Sequence, residues 1–265
     1  MEYFNHSVST QPVRAILFDF DGTVSTLRSG WEKTMKPLML EMISGGTWGL
    51  ELEAQVDAYI DESTGIQTIH QMKWLAEQVK LHCRTDLPED PWWYKAEYNR
   101  RLMQSVSARL AALENGSLPR EACLIGGSEA FLADMKKRGV KLYVASGTDH
   151  PDVLREAHAL GVDRYFDAIS GAPVAAENCS KEKVLKQLIE TEGLKGADVA
   201  VIGDGKVEIA LGKAAGARTV GLATDEDKLR GVNPVKRERL IRAGADVITG
   251  DFEDTDALLT FLGLA

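Results

Sequence analysis

Cysteine is scarce in this chain. There are three in 265 residues, Cys83, Cys123 and Cys179, and no CxxC pair. An odd, widely spaced set supports neither a disulfide framework nor a zinc site, so all three are expected to be buried, reduced thiols. Long apolar runs are missing too. The stretch MEYFNHSVSTQPVR lacks the apolar core of a signal peptide, and no segment approaches the length of a membrane span. A cytoplasmic protein with no membrane partner is expected. Basic excess is also absent: 31 Lys and Arg face 40 Asp and Glu, for a formal charge of −9, which argues against binding nucleic acid by counterion release. Nothing implies a protein partner, and no internal repeat or low-complexity tract is evident.

What is present is most informative at AILFDFDGT, Ala15 to Thr23. A short apolar run bounded by a turn reads as a buried parallel strand, and the period of two puts Asp19 and Asp21 on one side with Phe20 on the other. Two like charges so close need a cation, or a proton on one of them. That pattern asks for Mg²⁺, or for a nucleophile beside an acid/base. Gly22 lets the backbone turn past a ligand and Thr23 offers a hydroxyl. The same letters can also form a plain Asp-rich turn, so the rest of the chain has to decide.

After Thr23 the texture is helical for about a hundred residues. The periodicity gives helices over Trp31–Ile43, Leu50–Ile60, Ile66–His82 and Trp92–Leu113. They are separated by turn signals at Ser44, Ser63 and Leu87. From Cys123 strands and helices alternate: helices from Ser128, Pro151, Ser180, Val207 and Pro234, and strands KLYVAS, FDAIS, DVAVIG, RTVGLA and ADVIT. Such βα repetition predicts a parallel sheet wrapped by helices with right-handed crossovers. The expected fold class is therefore α/β, with a Rossmann-like three-layer core that includes the strand at Ala15. The helical block is an insertion between its first and second strands.

In open parallel sheets, ligands sit beyond the carboxyl ends of the strands. The polar groups at those ends are Asp19 and Asp21, then Ser146 with Gly147 and Thr148, then Asp204 with Glu208 four residues later. Hydroxyls and backbone N–H groups after a strand can hold phosphate oxygens, although they also serve simply as helix caps. Lys181 opens a helix, where a cation gains nothing from the helix dipole, and so is a candidate to face a ligand. Lys183 is the alternative.

DFDGT at Asp19 to Thr23, ASGT with Ser146, Lys181, and GDGKVE with Asp204 and Glu208 together resemble the four ordered motifs of the haloacid dehalogenase superfamily. The resemblance covers residues 12–28 and 122–265, the expected catalytic core. The helical insertion, 29–121, stands where that superfamily carries its α-helical cap. The resemblance implies a phosphatase in which Asp19 is the nucleophile and Asp21 the acid/base. Ser146, Gly147 and Lys181 would bind phosphate, with Thr23 supporting the loop. Mg²⁺ would be held by Asp19, Asp21 and Asp204. Glu208 replaces the usual second Asp of the fourth motif, and would either ligate the ion or orient a water on it. Hydrolytic dehalogenases of the superfamily lack the second aspartate of the first motif, so Asp21 favours phosphate esters, with a small phosphorylated metabolite as substrate.

Within the expected cap, the loop Glu62 to Thr68 corresponds to loops that reach the active site, which makes Gly65, Gln67 and Thr68 candidates to face substrate. Trp92, Trp93 and Tyr94 are candidate cap-interface aromatics that also fit a core role. No two of His70, His150 and His158 have metal-ligand spacing, but His150 lies near the phosphate loop. Other readings remain open. A phosphosugar mutase of the same superfamily would share every motif, and a magnesium-binding signalling or scaffold protein would use a similar aspartate cluster without turnover.

Overall fold

The computed structural model describes residues 1–5, 11–173 and 181–265. Cys179 and the helix start expected at Ser180 lie outside the described residues. The chain divides into two compact units, one formed by Met1–Ser29 with Ala112–Ala265 and the other by Gly30–Ala111.

The first unit is built on a seven-stranded sheet. Its strands are β1 (Glu2–Tyr3), β2 (Ala15–Phe18), β3 (Lys141–Asp149), β4 (Ala168–Ala172), β5 (Val199–Gly203), β6 (Arg218–Leu222) and β7 (Val247–Thr249), in the spatial order β1-β7-β6-β5-β2-β3-β4. Every pairing is parallel except that of β1, where Glu2 and Tyr3 run antiparallel to Ile248 and Val247. That edge strand is not signalled by the sequence, because two residues carry no periodicity. β2 lies between β3 and β5, and its four residues are buried on both faces, as an apolar run in a parallel sheet requires. Phe18 meets Phe131 and Phe166 edge to face at 6.4 and 5.9 Å, anchoring the strand on one layer of helices.

The helices of this unit are α5 (Ser128–Lys137), α6 (His150–Ala159), α7 (Lys181–Thr191), α8 (Lys206–Ala214), α9 (Pro234–Arg242) and α10 (Thr255–Leu262). Two expected strands are displaced. β3 continues through Ser146 and Gly147 to Asp149, with a register irregularity between Ala145 and Asp149. β4 begins two residues after the expected Phe166, since Asp163–Tyr165 forms a short 3₁₀ turn.

The second unit is helical: α1 (Glu32–Ser44), α2 (Leu50–Ser63), α3 (Thr68–Leu81) and most of α4 (Pro91–Glu114). It ends at Ala111, ten residues before the position at which the insertion is expected to close, because the last turn of α4 belongs with the sheet unit. Tyr94 is a core residue whose hydroxyl donates to the Pro88 carbonyl at 2.8 Å. Cys123 is buried, but Cys83 is exposed, a correction to the expected burial. It follows the end of α3 in a left-handed turn with φ of 54°, outside the apolar face. Among the described residues no helix is long and apolar enough to cross a membrane.

Candidate active site

Asp19 and Asp21 follow β2, Ser146 lies in the last part of β3, and Asp204 follows β5; these three strands are neighbours, so parallel pairing sets their carboxyl ends side by side. The Asp19 N–H donates to the Ile202 carbonyl at 2.9 Å, which ties the first aspartate to the strand that delivers Asp204. Gly22 takes φ of 72°, and a Cβ there would collide with the Asp204 carboxylate, so glycine is required both for the turn and for the close approach.

Asp19, Asp204 and Glu208 each offer an oxygen within 4.8 Å of the others. Lys181 stands among them, 2.9 Å from Asp19 Oδ1 and 3.0 Å from Glu208 Oε2. Lys183, two residues on and about 200° round the helix, is exposed, so the choice between the two lysines falls on Lys181. Glu208 has both oxygens engaged, since its Oε1 also accepts the Gly205 N–H at 2.6 Å. The longer arm that departs from the motif therefore closes the first turn of α8 and steadies Lys181.

The electrostatics follow from burial. Asp19 is held well above the usual carboxylate range by desolvation, with Lys181 opposing and Glu208 and Asp204 adding to the rise. Asp21 is also raised, again by burial first, against the Arg28 charge and a hydrogen bond donated by the Thr148 hydroxyl to its Oδ2 at 2.8 Å. Lys181 loses hydration, but Asp19 and Glu208 more than offset this and keep it charged. Asp21 Oδ1 and Thr23 Oγ1 are buried side-chain oxygens with no hydrogen-bond partner among the described residues. Ser146 is buried, and its Oγ accepts the Thr148 N–H at 3.0 Å, holding Gly147 in the turn between them.

A divalent cation fits this donor set. The candidate donors are hard oxygens, they converge from the ends of β2 and β5 and the first turn of α8, and Gly22 leaves room for the Asp204 carboxylate to approach.

Other residues of the site carry no motif. Arg28 pairs with the buried Glu156 at 2.6 Å and with Asp152 at 3.3 Å, setting a guanidinium near Asp21. Lys236 lies 2.7 Å from Asp204 Oδ2 and also pairs with Glu226. The only sequence hint for Lys236 is a cation in the first turn of a helix, the same weak signal that singled out Lys181. His150 does not face the cluster as a ligand; its Nδ1 accepts the Gly171 N–H at 3.2 Å and fixes β4. Gly65, Gln67 and Thr68 lie in the helical unit at the turn between α2 and α3, where Gly65 has φ of 91°. Beside that turn, Gln71 Nε2 donates to the buried Ser63 hydroxyl at 3.1 Å.

Comparison with known proteins bears on the fold and the family. A predicted phosphatase from Clostridium acetobutylicum superimposes with a TM-score of 0.62 over 94% of this chain and 99% of its own, at 17% identity. β-Phosphoglucomutase from Clostridium difficile gives 0.63 over 94% and 97%, at 14% identity. At such identities the likeness shows the fold. In sequence, a 5'-nucleotidase of Pseudomonas aeruginosa is 32% identical over 113 residues, 41% of this chain and 50% of that protein. The chain spans about half the length of the curated relatives it matches. A family model described as haloacid dehalogenase-like hydrolase matches residues 13–216, from β2 through α8 and so across all four motifs, and the chain belongs to that family.

Proposed function

We propose that the protein is a Mg²⁺-dependent phosphatase of a small phosphorylated metabolite, acting in the cytoplasm through an aspartyl phosphate. The observation that carries the reading is Asp21: a carboxyl raised by burial, held at one oxygen by Thr148, with the other oxygen buried and without a hydrogen-bond partner among the described residues. A carboxyl whose proton affinity is raised by burial, two residues from one paired with a lysine, is the combination of acid and nucleophile that ester cleavage needs.

An Asp19 oxygen attacks phosphorus and the bond to the ester oxygen breaks, while Asp21 delivers its proton to the departing alcohol. Asp21, now ionised, takes a proton from water; the water oxygen attacks phosphorus, the Asp19–phosphorus bond breaks, and Asp19 returns as a carboxylate. Lys181, Ser146 and the Gly147 N–H hold the phosphoryl oxygens, so that most of the rate comes from positioning and charge. Thr23 supports the loop. Asp19, Asp204 and the Asp21 backbone would hold Mg²⁺, which would supply positive charge against the carboxylates and the phosphate. Glu208 serves through Lys181, a role supported by the engagement of both its oxygens.

The helical unit serves in substrate selection, with Gly65, Gln67 and Thr68 as the selecting residues. A panel of phosphate esters assayed with and without Mg²⁺ tests the proposal. Phosphate release should need the ion and should fall by at least about a thousandfold in Asp19→Asn. Equal release by wild type and variant would remove the hydrolase reading, and an isomeric sugar phosphate in place of free phosphate would mark a mutase.

A further inference from the structure

The family match ends at residue 216, yet the segment after β6 returns two cations to Asp204. Lys236 Nζ is 2.7 Å from Asp204 Oδ2, and Arg239 Nη2 is 3.4 Å from the Asp204 carbonyl oxygen. Both lie on α9, three residues apart and so on one face. The segment is built to deliver them. Thr224 bridges to Val232, the Asp225 N–H donates to the Gly231 carbonyl at 2.9 Å, and the Asn233 side chain caps α9 by accepting the Val235 and Lys236 N–H groups at 2.9 and 3.1 Å.

A lysine in the first turn of a helix is at the wrong end of the dipole, and one with its side chain only 12% exposed has also lost most of its water. Both costs are offset by two carboxylates, Asp204 and Glu226, which hold Lys236 charged against desolvation.

We infer that Lys236 is a positioning residue for the metal ligand Asp204: it fixes the carboxylate through Oδ2 beside the Gly22 turn, and is itself anchored by Glu226. The inference rests on the proposed cation site but needs no substrate. The test uses full-length protein stripped with EDTA and titrated with Mg²⁺ in a calorimeter, with thermal melts as a check on folding. Lys236→Met should bind Mg²⁺ about 10- to 100-fold more weakly, the loss typical of a partner that orients a ligand. Lys236→Arg should recover most of that loss, and Glu226→Gln should show a smaller one. Binding by a folded Lys236→Met as tight as in wild type, or tighter, would overturn the inference while leaving the cation site intact. If Lys236→Met does not fold, wild-type affinity in both Lys236→Arg and Glu226→Gln would overturn it. Wild-type protein that takes up no divalent ion would remove the site reading, and this inference with it.

Discussion

Glu156 shows how far a single side chain can be displaced from its ordinary chemistry. It is fully buried, and burial first, then the Asp21 charge, pushes its pKa up to about 7 against the pull of Arg28. In the unfolded chain the same group titrates near 4.5. Below that value the carboxyl is protonated in both states and makes no difference to stability. Between about 4.5 and 7 the folded protein keeps a proton that the unfolded chain has released, so stability falls as pH rises through this window, by about 3 kcal/mol in all. Glu156→Gln cannot ionise, so urea unfolding at pH 5 and pH 7.5 should show a flatter pH dependence than wild type. Equal slopes in the two proteins would mean that the carboxylate is stable in place.

Legibility at this scale followed the motifs. Asp19, Asp21, Ser146, Lys181 and Asp204 sit at strand ends or helix starts, where types and spacing announce a ligand. Arg28 and Glu156 do not, and Lys236, though in the first turn of α9, belongs to no motif. Lys236 lies in VKRERLIR, a charge run that reads as a solvated helix face, and only the folded chain turns it inward.

Among the elements, α9 joins a local rule to the distant site. Its start is fixed by Asn233, whose side-chain oxygen accepts two N–H groups, and Lys236 is one of the residues so held. Asn233→Ala should cost about 1 kcal/mol in chemical denaturation, the usual value of a lost helix cap. It should also weaken Mg²⁺ binding relative to wild type, since the cap sets the turn that carries Lys236. A loss of stability with unchanged Mg²⁺ affinity would separate the cap from the site. The elements with clear periodicity, β2, β5 and the helices of the insertion, could be read from the chain. β3 could not be followed past Ser146, because Ser-Gly-Thr looks like a turn even though it continues a strand with a register irregularity.

At the scale of the whole molecule, the sheet and all its strand pairings belong to one unit. The chain before and after the insertion is tied together within that unit, four residues before Gly30 and twelve after Ala111. The Thr26 N–H donates to the Cys123 carbonyl at 2.9 Å, and the Ile125 N–H to the Val24 carbonyl at 3.1 Å. Residues 30–111 should therefore be replaceable by a short Gly/Ser linker, leaving a protein that unfolds cooperatively in urea and still binds Mg²⁺. A non-cooperative transition would show that the sheet unit depends on the insertion. The α/β alternation and the inserted block were legible because they are patterns over many residues. The antiparallel edge was not, because it rests on a pair of residues.

The match to the family model and the machinery of the site end at different places along this chain: the match stops at residue 216, while the ammonium that grips Asp204 arrives twenty residues later. A chimera cut at residue 216 would inherit all four motifs and lose the grip. On the role inferred for Lys236, swapping the tail between relatives should change Mg²⁺ affinity without touching any signature residue.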